Sequence, residues 1–267
     1  MSNLVFLFSI IIIVTLCFAI FYVFASIINN INNNDKIIKA YVINLDYRKD
    51  RLVKFNQSYN LKNINYERLD AVNKDNLNAK QLHTNKVLGD YGYKSLYKNI
   101  REFHHQFNTL GAVACYMSHI KTWNKILSDN VKYGLIFEDD VLFNSDITSE
   151  LIFEYINKIP KDWDILLLNK NRVTMKNIYD DVHKVDKFIC LHSYVINRNC
   201  INRLLQDVLP INQQIDFKLS CLASNGKLNV YLVNDKTNKK FYRQFYSPTN
   251  IQTTIMKNAS WELNCNI

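Results

Sequence analysis

The chain has 267 residues, 48% of them hydrophobic, and a formal net charge of +9. That length holds one membrane segment plus one compact domain, or two small domains. The charge would suit nucleic acid, anionic lipid or a phosphorylated substrate. No stretch gathers it into a basic stripe with interleaved aromatics, so a nucleic-acid partner is not supported. Richness in Asn, Lys and Ile, with only 5 Gly and 3 Pro, suits an AT-rich genome and accounts for the charge as well.

In chain order, a three-residue tail (1–3) precedes residues 4–28, which are apolar except for Ser9, Thr15 and Ser26. A run of that length spans a hydrocarbon core of about 30 Å. The rival is a cleaved signal peptide with Val23 and Ala25 at its small-residue site. A signal peptide has a shorter apolar region and a basic leader, and neither is present, so an uncleaved signal anchor is expected. Lys36 and Lys39 follow the span and no basic residue precedes it, which by the positive-inside rule points the domain to the cytoplasm. An Asn-rich spacer and Asp35 weaken that bias, so orientation has to come from function. A polar stalk (29–36) then leads to a single domain over 37–267.

That domain opens with an expected strand over Ile37–Leu45, a helix through Leu52 and Phe55, and a second strand over Asn63–Asp70. Residues Asn73 to Asn108 show little period and read as a mobile or substrate-facing insertion. Val113, Tyr116, Met117, Ile120, Ile126 and Leu127 place a helix over Gly111–Asn130. Further strands are expected at Tyr133–Phe143, Asp162–Leu168, Phe188–Ile196 and Leu228–Val233, with a helix at Asn199–Val208. Alternating strands and helices predict an α/β fold, a mostly parallel sheet with helices on both faces.

Cys17 lies in the apolar span. Cys115, Cys190, Cys200, Cys221 and Cys265 form no C-x-x-C pair, which argues against a zinc site of that kind. Their odd number argues against a fully paired disulfide framework, and Cys115 and Cys190 read as packing residues. Asn56-Gln57-Ser58 and Asn258-Ala259-Ser260 are glycosylation sequons, informative only in a lumenal domain.

The chemistry concentrates in four polar islands. Glu138, Asp139 and Asp140 interrupt the apolar run YGLIFEDDVLF at a strand's carboxyl end. Crowding three acids on the rim of a core costs repulsion and desolvation, which a divalent cation with hard oxygen ligands offsets. The alternative is an acidic, solvated turn. Asn44, Asp46, Arg48 and Arg51 suit phosphate and base or ribose contacts, or a helix cap with surface arginines. Ser118-His119 either faces the site or is an ordinary helix pair. Asp216 is a lone carboxylate after a helix, often a cap or turn residue.

In order, YVINLDYRKDRL, ERLDAVN, GAVACYMSHIKTWNKIL, LIFEDDVLF, DWDILLLN, SYVINRNCINRLL and PINQQID resemble glycosyltransferase family 25. That family includes bacterial lipooligosaccharide galactosyltransferases and collagen hydroxylysine galactosyltransferases of animals and large viruses. The resemblance runs from about Lys39 to about Ile251, and its most specific parts are INLD-x-R-x-x-R, the C-x-x-SH helix and EDD. It implies a GT-A type nucleotide-diphospho-sugar transferase fold. It also implies a UDP-sugar donor, Mn²⁺ or Mg²⁺, and inverting transfer of galactose or glucose to a glycan or hydroxylysine-type acceptor. On that resemblance Asn44, Asp46, Arg48, Arg51 and Ser118 lie toward the nucleotide, and Glu138, Asp139 and Asp140 hold the metal. Asp216, His119 and Asp139 form the catalytic set, with Asp216 as base or second metal contact. A single-pass type II protein follows, its catalytic domain lumenal or host- or virion-associated.

Two departures stand out. Cys190-Leu191-His192 replaces the Gly-rich segment expected before SYVINR, and the acceptor-facing 73–108 region is unrecognisable. A catalytically silent, membrane-tethered member serving glycan binding or scaffolding is the alternative. A metal-dependent nuclease would lack its basic groove.

Overall fold

Tyr41 and Ile43 face one side of the first strand and Ala40 and Val42 the other, and all four are buried. A strand covered on both faces needs a packing layer on each, and the computed structural model supplies them. It describes residues 15–24, 37–143, 148–168, 173–234, 242–244 and 255–267. Residues 15–24 are helical with exposed side chains, while the rest of the expected 4–28 span and the 29–36 stalk lie outside the described residues. Among the described residues no helix is long and apolar enough to cross a membrane.

An eight-stranded sheet runs, edge to edge, β2 (Tyr66–Asp70), β1 (Ile38–Asn44), β4 (Tyr133–Glu138), β9 (Ser193–Asn197), β6 (Ile165–Leu167), β10 (Val230–Val233), β8 (Val182–Lys187) and β7 (Thr174–Tyr179). Two small sheets pair β5 (Val141–Phe143) with β11 (Tyr242–Gln244) and β3 (Arg101–Phe103) with β12 (Ile255–Ser260). Three of the seven pairings in the main sheet are parallel and four antiparallel, so the expected mostly parallel sheet is in fact mixed. The reason lies between Leu167 and Ser193, where none of the described residues is helical. A parallel return needs a long crossover, usually a helix, whereas β7 and β8 turn back through Asp180 and Asp181.

Helices cover both faces, as expected. On one side α4 (Leu110–Asp129), α6 (Arg198–Asp207) and α7 (Ile215–Ser224) share a core with Tyr41, Ile136, Tyr194 and Ile165. On the other, Phe55 of α1 (Lys49–Ser58) and Ile152, Tyr155 and Ile156 of α5 (Ser149–Lys158) pack on Val42, Leu135, Phe137 and Val195. Helix α4 ends where Asn130 turns left-handed (φ 57°), a conformation Asn tolerates well. Gly134 lets α4 approach β4 closely: a Cβ there would collide with the Ile126 side chain.

The 73–108 region, expected to be irregular, contains a 3₁₀ turn (Lys74–Asn76), α2 (Ala79–Thr84) and α3 (Asp90–Ser95). Asn73 and Asn78 cap the first two, their side chains accepting from Asp75 and Gln81 amides. This insertion packs on the segment before α7, through the Leu88–Ile211 bridge and a bond from the Gly92 amide to Asn212.

Candidate functional site

Parallel pairing sets Ile43 of β1 opposite Glu138 of β4, so Asn44 and the EDD turn meet at the same sheet edge. Asn44 is buried and fully used. Its Nδ2 donates to Asp139 Oδ2 (2.7 Å) and to the Arg48 carbonyl (3.1 Å), while its Oδ1 accepts from Arg68 Nε (2.9 Å). Arg51 comes up from the first turn of α1 and donates to Asp139 Oδ1 at 2.9 Å. Both oxygens of Asp139 are therefore engaged inside the fold. Burial pushes this carboxyl above its usual range, against the pull of Arg51 and Asn44. Arg48 and Asp46 remain at the rim, Arg48 paired with Asp50 and the exposed Asp46 with Arg68.

Glu138 turns the other way, toward α4. Its Oε1 lies 3.4 Å from His119 Nε2 and 3.9 Å from Cys115 Sγ. His119 Nδ1 sits 2.9 Å from the Tyr194 hydroxyl, which accepts from Trp123 Nε1 at 2.9 Å. Trp Nε1 only donates, so the Tyr194 proton is available to His119 Nδ1 and leaves Nε2–H for Glu138. Burial pushes the Glu138 carboxyl upward, yet the His119 bond and nearby positive charge outweigh it and hold the acid below its usual range.

Asp216 stands in the first turn of α7. Oδ2 accepts from the Cys190 amide (2.9 Å) and Oδ1 from the Phe217 amide (2.8 Å). Burial dominates even so, and with repulsion from Glu138 it raises this carboxyl above the usual range. Cys190 is left-handed (φ 67°), which explains why a Gly-rich segment is expected at this place. Burial and the charges of Glu138, Asp216 and Asp140 push the Cys115 thiol far up.

Of the expected residues, the structure brings Asn44, Arg51 and Asp139 into one buried knot and sets Glu138 against His119 and Cys115, with the charges of Asp140 and Asp216 acting on that thiol. Ser118 joins neither. Its buried hydroxyl accepts from the Val72 amide and donates to the Ala114 carbonyl, pinning the chain after β2 to α4. The sequence reading missed three participants. His192 gives its carbonyl to the Glu138 amide (2.9 Å), and burial lowers its ring's basicity. Buried Arg101 donates to the His104 and Gln106 carbonyls beside Asp216. Cys221 and Cys265 form a disulfide that ties the chain's last described segment to α7. Only the disulfide had a sequence signal, the spare cysteines.

A family model described as "Glycosyltransferase family 25 (LPS biosynthesis protein)" matches residues 37–255. Procollagen galactosyltransferase 2 of Mus musculus is 26% identical over 140 residues, 52% of this chain and 21% of that protein. A Bos taurus protein named "Probable inactive glycosyltransferase 25 family member 3" is 28% identical over 137 residues, 51% of this chain and 22% of its own length. The chain thus spans about a fifth of the length of these curated relatives. A Drosophila beta-1,4-galactosyltransferase 7 mutant, solved with manganese, UDP-Gal and xylobiose, aligns with a TM-score of 0.40 at 13% identity, covering 79% of this chain and 71% of that one.

Proposed function

This chain belongs to glycosyltransferase family 25, and from that premise we propose that it moves galactose or glucose from a UDP-sugar to a hydroxyl of a glycan or hydroxylysine-type acceptor, with inversion. The observation that carries this reading is the EDD turn at the end of β4, where Glu138 reaches His119 and Cys115 on α4 and Asp139 is locked in the buried Asn44–Arg51 knot. Ligands of open α/β sheets collect at the carboxyl ends of strands, where β1 and β4 end.

In this reading Asp139 is a positioning residue: its charge fixes Arg51 and Asn44 and thereby the path of the turn. Glu138 and Asp140 offer the hard oxygens that Mn²⁺ or Mg²⁺ prefers, and a cation held there would supply charge neutralisation for the diphosphate leaving group. Arg48 and Asp46 at the rim lie toward the nucleotide. Asp216 takes the acceptor proton as general base, and a carboxylate raised by burial is a better base than a solvated one. The acceptor oxygen bonds to the sugar's anomeric carbon as the carbon–oxygen bond to UDP breaks, and the electron pair leaves with UDP. His119 steadies Glu138 through its Nε2–H.

UDP release from UDP-galactose and UDP-glucose, measured with Mn²⁺ and with chelator, tests the reading. Metal-dependent release above background is expected. An Asp140→Ala chain with unchanged metal-dependent turnover would remove the metal assignment, and full activity in Asp216→Asn would remove the base. The resemblance to a probable inactive relative favours a second reading, a glycan-binding or scaffolding subunit, for which no UDP release is expected. Three desolvated or crowded acids oppose it, since a binding subunit gains nothing from that cost.

A lumenal, type II placement is proposed on the Cys221–Cys265 disulfide, because such bonds persist in oxidising compartments. Glycosidase-sensitive mass on Asn56 or Asn258 is the expected sign, and a protease-accessible cytosolic domain would refute the placement.

A further inference from the structure

Cys115 and His119 stand four residues apart on α4, so their side chains share one helix face. That face looks at the end of β4, where Glu138 closes a triangle of sulfur, nitrogen and oxygen. The three ligand atoms all lie within 4.8 Å of one another. Two of its sides are shorter, 3.4 Å from His119 Nε2 to Glu138 Oε1 and 3.9 Å from Cys115 Sγ to the same oxygen.

Zinc bond lengths say what such a triangle holds. Tetrahedral Zn²⁺ with Zn–N and Zn–O of about 2.1 Å and Zn–S of about 2.3 Å sets N···O at about 3.4 Å and S···O at about 3.6 Å. The first distance is already met and the second needs a shift of a few tenths of an ångström. We propose that Cys115, His119 and Glu138 form a three-ligand site for a borderline-soft divalent cation, Zn²⁺, with water in the fourth position.

Three features of the surroundings support the assignment. With the cation on Nε2, the imidazole proton sits on Nδ1 instead and is donated to the Tyr194 hydroxyl oxygen 2.9 Å away, the kind of outer partner that orients a metal-bound imidazole, and Trp123 Nε1 in turn donates to Tyr194. The Glu138 side chain is 26% exposed, so a cation can enter from solvent. Thiolate and imidazole select zinc over the hard cations proposed for the sugar transfer, which take oxygen. Binding releases the thiol proton to solvent and moves no electrons. Zinc here would draw Glu138 to α4 and so compete with the role given to Glu138 above; that consequence alone rests on the transferase reading.

Cobalt(II) tests the site because a thiolate ligand gives it a near-ultraviolet charge-transfer band that oxygen ligands lack. The full chain is titrated with Co²⁺, then with Zn²⁺. A band should grow to one equivalent and be erased by Zn²⁺. It should be absent in Cys115→Ser, while Glu138→Gln and His119→Gln should weaken Zn²⁺ binding about tenfold or more. Thermal unfolding checks that each variant is folded, and Glu138→Gln retains shape should the helix variants fail. Absence of the band in the parent chain overturns the site. So does a band that survives Cys115→Ser, since it would belong to another free cysteine. Neither result depends on turnover, so failure here leaves the transferase reading standing, and the converse holds.

Discussion

Glu138 and Asp139 are neighbours in the chain and differ in almost everything else. Asp139 points to α1 and spends both oxygens on Arg51 and Asn44, deep enough that burial raises its carboxyl. Glu138 points to α4, keeps a quarter of its side chain in solvent and is held below its usual range through His119. A strand alternates its side chains between faces, so consecutive acids at its end are sent to different helices. Three acids in a row thus face two different environments. Asp139 is tied into the fold on both oxygens, and in the function proposed above its neighbour Glu138 carries the chemistry.

The largest expected effect lies on the Asp139 side. Arg51→Met strips a buried carboxylate of its cation and should cost about 3–5 kcal/mol of folding stability, read by urea unfolding. A cost under about 1 kcal/mol would mean that the pair behaves like a surface ion pair. On the Glu138 side the loss should be catalytic. Glu138→Gln keeps shape and the bond to His119, so turnover should fall about 10²–10³-fold with stability nearly unchanged. Equal destabilisation by both variants would erase the contrast.

Asp129 calibrates the pair from the far end of α4, away from the acids. Burial works against its ionised form, but bonds from Lys125, Lys39 and Tyr41 prevail and bring it down to about 2. Its contribution is thus full above the ordinary carboxylate range and is lost as pH falls from about 4 through about 2. The linkage amounts to about 2 kcal/mol. Asp129→Asn should flatten stability against pH over that window and leave turnover per folded molecule intact. Lost turnover would show that a purely structural carboxylate also reaches the site.

Elements with strong periodicity were legible in the chain: β1 and α4 lie within one residue of their expected bounds, while β4 starts at Tyr133 as expected but stops at Glu138, the apolar run resuming as β5 after the acidic turn. So was the placement of the acidic turn at the carboxyl end of a strand, where β4 ends beside β1. The directions of β9 and β8 were not, because alternation shows a strand's faces and is silent on which way it runs. Helix α7 went unseen since seven of its ten residues are buried, which leaves no polar stripe to mark a period. The β7 strand is mostly exposed and offers no apolar alternation. Arg51 and Asp139 are 88 residues apart, and nothing local distinguishes Arg51 from its neighbour Arg48. The partner of Asp139 is a product of topology.

Gly134 carries no chemistry, yet it governs a distance that matters. Ile126 fills the space where any side chain at that position would stand. Seven residues, about 10 Å, back along the same helix is His119. A helix this well packed moves as a rod, so a single methyl group at Gly134 would act as a shim under one end of a lever. The other end would lift His119 and Cys115 off Glu138, opening the 3.4 Å gap on which the polarity of that acid depends. The spacing of the proposed site is thus tied to the missing side chain at the opposite end of the strand.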